Sequence, residues 1–408
     1  MPLPALRNVE ASPMKHEGKV VICLQDPEGF VETPVLLSPT AFAIATLLDG
    51  MNEVLDIQYQ IARNTGNIIS SEDIERVVSY LDEHGYLKSA QFDKLCARVR
   101  EEFGHAGSRV AYLAGKSYPS EPDELRKYLN DFFISEKGPG RLPDKTAAET
   151  SSAKGLIAPH IDFDRGGHVY ASAYQRLVKE PTPSTVFVFG VSHAPATTPF
   201  ILTRKDFETP LGTLKNDREV TDYLAERCAW NPFADEIIHR SEHSIEFQAV
   251  MLAHLLGEQV KIVPVLCGLF PENMTDKSDS RVGAINEFLR GVQEIIGKDR
   301  KSFAVIAGAD LAHVGKRFGD PFDIDEGIIQ TVRDRDDEDM GYLKTVNADG
   351  WYASVMKDKN ERKVCGISCI YAAVKVLEGS VSRGDIIQYD YAPDPFGGIV
   401  SFAAVAFS

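Results

Sequence analysis

Past residue 150 the chain alternates short, continuously apolar runs with longer stretches of amphipathic spacing. The apolar runs fall at 155–159, 185–191, 260–267 and 302–307. Runs of that length without polar alternation predict strands covered on both faces. The stretches between and after them predict helices at 168–179, 217–228, 244–256, 281–296, 339–347 and 366–377. Two closing runs, 386–391 and 399–407, are adjacent and predict an antiparallel edge. Such alternation predicts an α/β fold, a three-layer sandwich whose central, mostly parallel or mixed sheet is covered by helices.

The first 92 residues follow a different plan. A strand is predicted at 20–24, with 30–37 as its hairpin partner. Ser38 ahead of Pro39 reads as a cap and first turn, opening a helix that Gly50 stops. A second helix covers 53–63. A third starts at Ser70-Ser71-Glu72-Asp73 and runs to Gly85, with Ile74, Val77, Val78 and Leu81 on one face. Tyr86 and Leu87 form a short closing strand. This is a small α+β module of winged-helix or PqqD-like pattern, suited to an accessory role or to binding a peptide or partner chain. Residues 93–105 read as a charged linker helix, and 106–408 as the α/β domain. Within it, 122–133 is helical and 137–153 is a polar loop.

Composition narrows the function. The 408 residues are 43% hydrophobic and 25% charged, which is globular, and the net charge is −16. Phosphate backbones want a basic surface, so nucleic acid is excluded as a general partner. No 18-residue apolar stretch is present, and the first residues hold no apolar signal core, so no membrane role is expected. Six cysteines, at 23, 96, 228, 267, 365 and 369, lack framework spacing. They read as reduced thiols of a cytoplasmic protein.

The chemistry collects where strands end. The run 155–159 delivers His160, the run 185–191 delivers His193, and 302–307 leads to Asp310 and His313. Open α/β sheets present their chemistry at such ends, so these residues are expected to converge on one metal pocket. Asp162 and Asp164 follow His160. They either orient its imidazole or cap the next helix. His243 opens a helix beside Glu242 and Glu246, where the dipole favours neutral imidazole. Asp310 and His313 are three apart and share a face if a helical turn starts there. Cys365 sits at another helix start, a position that favours thiolate. Cys369, one turn on, reads as a buried small hydrophobe.

In this order, AGKSYPSEPDELRKYL, IAPHIDFDRGG, VFGVSHAP, SEHSIEFQ, VPVLCG, GADLAHVGKRFG and VCGIS resemble the Memo-like proteins, called AmmeMemoRadiSam system protein B in prokaryotes. The likeness runs from about Ala106 to the C-terminus. It implies a fold like the class III extradiol dioxygenases. It implies a metal on His160, His193 and Cys365, the thiol standing where those enzymes use a carboxylate. Asp310, His313 and His243 would line the pocket, with His313 or His243 as acid and base. Family members are linked to iron or copper and to redox chemistry, and an animal member to phosphotyrosine peptides. The chain departs from the pattern after the first histidine, where an AGY-like segment gives way to Ile161-Asp162-Phe163-Asp164.

Three functions follow as expectations. One is a non-haem iron- or copper-dependent oxidoreductase acting on a small molecule. Another is a binding or scaffold protein that uses the cleft and residues 1–92 to recruit a peptide or protein. The third is a zinc hydrolase. Among them Asp162, Asp164 and Glu242 support the ligands from behind.

Overall fold

The computed structural model describes residues 1–144, 153–178, 182–299 and 302–408. The chain divides into two units, Met1–Ala106 and Gly107–Ser408.

In the first unit, β1 (Glu10–His16), β2 (Lys19–Gln25) and β3 (Val35–Leu37) form an antiparallel sheet in that order. Helices α1 (Pro39–Ala45), α2 (Val54–Thr65), α3 (Ser71–Glu83) and α4 (Ala90–His105) follow. Ser38, Ser70 and Ser89 cap α1, α3 and α4 by accepting backbone amides, as hydroxyls at helix starts do. Leu24, Ile44, Ile57, Ile74 and Leu81 fill the core. β1 was not legible because EASPMKH is polar and almost wholly exposed. The segment expected as a linker helix is α4, and it packs inside this unit: Phe92 stacks edge-on against Phe30 and lies under Arg7. Leu87 makes a single antiparallel bridge to Leu6.

The second unit opens with β4 (Ser108–Arg109) and α5 (Pro122–Ile134), then β5 (Gly155–Ala158), α6 (Phe163–Tyr174) and β6 (Thr185–Val191). Three short strands, β7 (Phe200–Leu202), β8 (Asp206–Thr209) and β9 (Gly212–Asn216), lead to α7 (Arg218–Ala225) and α8 (His243–Leu256). Then come β10 (Lys261–Cys267), α9 (Ser280–Lys298), β11 (Phe303–Gly308) and β12 (His313–Val314). Helices α10 (Glu326–Lys344), α11 (Ala348–Met356) and α12 (Ile367–Leu377) precede the closing strands β13 (Gly384–Asp394) and β14 (Gly398–Phe407). One mixed sheet joins these strands in the order β12-β14-β5-β11-β6-β10-β9-β8-β4, with β13 on β14 and β7 on β10.

The centre, β5-β11-β6-β10, is parallel, and β14 and β13 run antiparallel at one side. Alternate residues of these strands enter two cores. Phe187, Phe189, Val263, Val265, Val305 and Ala307 face one, with side chains of α9, α11 and α12. Val186, Val188, Ile262, Ala304 and Ile306 face the other, with α5, α6 and α8. A period of two with both faces apolar is why these strands read as unbroken hydrophobic runs.

Several expected boundaries moved. The helix expected at 168–179 begins at Phe163, because Asp162 caps it by accepting the Arg165 amide. Of that range, residue 179 lies outside the described residues. The 339–347 helix is part of α10, whose charged run Arg333 to Asp339 hid it, and it is followed by α11. Residues 145–152 of the expected loop lie outside the described residues. Among the described residues no helix is long and apolar enough to cross a membrane.

Candidate metal centre

The order β5-β11-β6 sets the geometry. β5 and β6 both flank β11 in parallel, so all three C-terminal ends emerge side by side. Adjacent strands lie about 4.8 Å apart, so residues just past β5 and β6 start within about 10 Å. After β5 the chain turns into α6, in one core, whereas after β11 it passes through β12 to α10, α11 and α12, whose side chains Met340, Leu343, Trp351 and Ile370 enter the other. The crevice left where neighbouring connections part is where open α/β sheets bind ligands.

His160, two residues past β5, and His193, two residues past β6, occupy that crevice with ring centroids 5.0 Å apart. His243, the first residue of α8, stacks on His193 at 4.6 Å and meets His160 at 5.2 Å. Each of the three offers a nitrogen within 4.8 Å of the others, a grouping fit to hold a metal ion. Two glycines allow α8 to come this close. A Cβ on Gly308 would lie 2.5 Å from the Ser244 carbonyl oxygen, and one on Gly190 would lie 2.6 Å from Ser244 Oγ.

The rings are oriented from behind. His160 Nδ1 lies 2.9 Å from the Gly308 carbonyl, which can only accept, so this nitrogen carries the proton. His313 Nδ1 meets the Leu311 carbonyl in the same way at 3.1 Å. His193 and His243 both turn Nδ1 to Glu242, at 3.0 and 3.3 Å. In all four imidazoles Nε2 is therefore the nitrogen left for a ligand. Glu242 caps α8 through the Ser244 amide and also accepts the His193 amide. Asp310 accepts the His160 amide at 2.9 Å, and its other oxygen lies 3.6 Å from His160 Nε2. Cys365 Sγ stands 3.2 Å from His160 Nε2.

Burial sets the charges. It pushes His160 well below the ordinary imidazole range and lowers His243 and His313 to about 4, so all three are neutral. Burial also acts to lower His193, but the Glu242 carboxylate and Cys365 overcome it and hold this ring well above the usual value. Its side chain is 39% exposed, against 35% for His243 and 2% for His160. Burial opposes ionisation of Glu242, yet the charge on His193 and the hydrogen bonds donated by its ring and amide, with the His243 ring alongside, hold this carboxyl well below its ordinary range. Asp310 is raised to about 7 by burial, against the His160 and Ile161 amides. Cys365 was expected to favour thiolate at a helix start. Gly366 instead stands between it and α12, and burial raises the thiol to about 11, outweighing the His193 contact.

The expected residues separate into two groups. His160, His193, His243, Asp310, His313 and Asp162 line one cleft of about 460 Å³. Cys365 and Glu242 touch its histidines directly. Asp162 is salt-bridged to Arg165. Asp164 is not at the cleft: it accepts the Tyr128 hydroxyl at 2.6 Å on the exposed side of α6. Nor do Asp310 and His313 share a helical turn, because His313 pairs with Val400 of β14.

Other residues escaped the sequence reading. Arg109 is fully buried, pairs with Glu246 at 2.5 Å, and donates to the carbonyls of His239 and Glu242. Tyr118 also donates to Glu246. Gln248 donates to the Pro159 carbonyl at 2.8 Å, fixing the turn into His160. These partners lie roughly a hundred residues apart in sequence, and no local spacing marks them.

The model of the Memo-like protein family matches residues 109–404, nearly all of the second unit. The chain belongs to the Memo-like family. It is 28% identical to a MEMO1 family protein of Aquifex aeolicus over 406 residues, 99% of each chain. It is 26% identical to one of Desulfurococcus amylolyticus over 303 residues, 73% of this chain and 98% of that protein. A MEMO1 family protein of Thermus thermophilus is 25% identical over 324 residues, 79% of this chain and 89% of that protein. The Aquifex protein therefore matches residues of the first unit as well.

Proposed function

We propose that this cleft holds iron or copper on His160, His193 and Cys365, with His243 beside them, and that the protein is a metal-dependent redox enzyme acting on a small molecule. The observation that carries the reading is the convergence of three imidazoles, each with Nδ1 already engaged, together with a thiol 3.2 Å from Nε2 of one of them, His160. Imidazole with thiolate suits iron, copper and zinc, whereas magnesium and calcium want oxygen donors. When bound, iron or copper would supply one-electron chemistry toward oxygen or substrate. Glu242 and the Gly308 carbonyl fix the rings that hold it. His313 and His243, neutral at pH 7, accept a proton from substrate, and Phe247 and Phe318 wall the cleft. The buried parallel centre with helices on both faces supports an extradiol-dioxygenase-like layering, and six unpaired thiols support the cytoplasm. Zinc in the same site would favour hydrolysis instead. Anaerobic purification under reducing conditions followed by elemental analysis tests the reading. About one iron or copper per chain, lost in His193→Ala, is expected; metal-free wild type under those conditions would contradict it.

A second reading concerns the first unit. Met51, Leu55 and Tyr59, spaced four residues apart, and Ile68 are all more than two-thirds exposed. Of these only Leu55 and Tyr59 lie on α2, one turn apart; large apolar side chains held in water support recruitment of a peptide or protein partner through residues 1–92. Pull-downs with full-length protein and with Leu55→Asp/Tyr59→Asp would separate this role from the metal chemistry: partners lost only in the variant support it, and identical partners remove it.

A further inference from the structure

We infer that Arg362 is a positioning residue that sets the Cys365 thiol and the His313 imidazole from outside the cleft; the inference rests on the metal reading above. Five non-glycine residues among those described have positive φ, and three of them are Lys359 (59°), Asn360 (57°) and Lys363 (54°). All three fall in the segment that runs from α11 into Cys365. Side chains with a Cβ disfavour this region, and such a run persists only where the surroundings over-determine it.

The surroundings are specific. Asn360 accepts the Val364 amide at 2.7 Å and donates to the Val364 carbonyl at 3.1 Å. Lys363 reaches Asp320 at 2.7 Å. At the centre, the buried Arg362 guanidinium lies between Asp336 and Asp339 of α10. The outward oxygens of those carboxylates are occupied too. Asp336 accepts Ser401 at 2.6 Å and Tyr389 at 2.9 Å, and Asp339 accepts Ser354 at 2.5 Å. A guanidinium fork matched to two satisfied carboxylates fixes direction as well as distance.

That anchor is transmitted to the site along two routes. The Arg362 carbonyl accepts the His313 amide at 2.7 Å. Three residues on, Cys365 Sγ stands 3.2 Å from His160. Ser401, which donates to Asp336, also accepts the Ala312 amide at 3.0 Å, so residues 312 and 313 are gripped from both sides. Side chains on α10 thus set where a thiol and an imidazole of the cleft lie, although none of them lines it.

Two full-length variants test this. Arg362→Lys keeps the charge and loses the fork. Arg362→Leu with Asp336→Asn and Asp339→Asn removes all three charges, so that no buried charge is stranded. The first readout is the alkylation rate of Cys365 by iodoacetamide in metal-free protein, followed by peptide mass spectrometry with the half-buried Cys228 as internal control. The second is anaerobic iron(II) affinity. In whichever variant unfolds cooperatively, Cys365 is expected to react severalfold faster while Cys228 is unchanged, and iron affinity to fall about 10- to 100-fold. Folded variants with a wild-type Cys365 rate would overturn the inference. Wild type that takes no iron would sink the metal reading alone, because the alkylation comparison needs no metal.

Discussion

Glu242 meets His193 twice: one oxygen lies 3.0 Å from the ring Nδ1, and the other accepts the amide of the same residue at 2.9 Å. Because Glu242 also caps α8, one carboxylate joins the end of β6 to the start of the helix that carries His243. Glu242→Gln leaves a single accepting oxygen and no charge. The attraction that holds His193 above the usual imidazole range then disappears, and its pKa should fall, as read by imidazole NMR of metal-free protein. Metal affinity should drop about 10- to 100-fold. An unchanged His193 titration would show that Glu242 does not set that ring.

The close approach of α8 is expected to be intolerant of side chains at Gly308. In Gly308→Ala the new methyl would lie 2.5 Å from the Ser244 carbonyl oxygen and 2.8 Å from Gln248 Nε2. Either α8 retreats or β11 bends, costing about 1–3 kcal/mol in denaturant unfolding. Weaker metal binding should accompany the loss, since Gln248 also holds the Pro159 carbonyl. Wild-type stability together with wild-type binding would mean that α8 does not need this contact.

The Arg109–Glu246 pair lies wholly inside the protein. Arg109→Met strands the carboxylate and frees the carbonyls of His239 and Glu242, so it should cost about 3–5 kcal/mol. Adding Glu246→Gln should recover part of that cost, because no charge is then left buried. A double mutant less stable than Arg109→Met would contradict a role based on charge compensation.

His239 makes stability depend on pH. Burial lowers it to about 3 from an ordinary 6.5, so the folded protein keeps it neutral while the unfolded chain protonates near 6.5. The unfolded state binds the extra proton, so stability falls as pH drops below 6.5, by about 1.4 kcal/mol per unit from this residue until pH nears 3. His239→Gln retains an amide donor for the Ile201 carbonyl, which the ring meets at 3.1 Å. Its melting temperature should decline less between pH 7 and pH 5 than that of wild type. Parallel declines would rule this residue out as a source of the acid sensitivity.

How much of this was legible depended on how local the cause was. β6 matched residue for residue because all seven positions are buried, leaving an unbroken apolar run. The strand-end histidines were legible for the same reason: the apolar run stops where the chemistry starts. The start of α6 lies five residues before the expected His168, because Asp162, legible either as an orienter of His160 or as a cap for the next helix, caps one that opens at once at Phe163. Asp310 and His313 would share a face only if a helical turn opened there, and spacing alone cannot distinguish such a turn from the extended exit paired with β14 that the chain takes. The Cys365 thiol came out with the opposite shift, because burial, invisible in sequence, outweighs a helix start one residue further on. Arg109, Gln248 and the carboxylates that grip Arg362 act across long separations, and only the folded chain brings them together.

The central claim is that His160, His193 and Cys365 share one metal. Cobalt(II) titration of the metal-free protein tests it most directly, because thiolate ligation adds an intense near-ultraviolet charge-transfer band. Wild type is expected to saturate at one cobalt per chain with that band. Cys365→Ser should bind without it, and His160→Ala should not saturate. Wild-type binding that lacks the band, or a band that survives Cys365→Ser, would contradict the account.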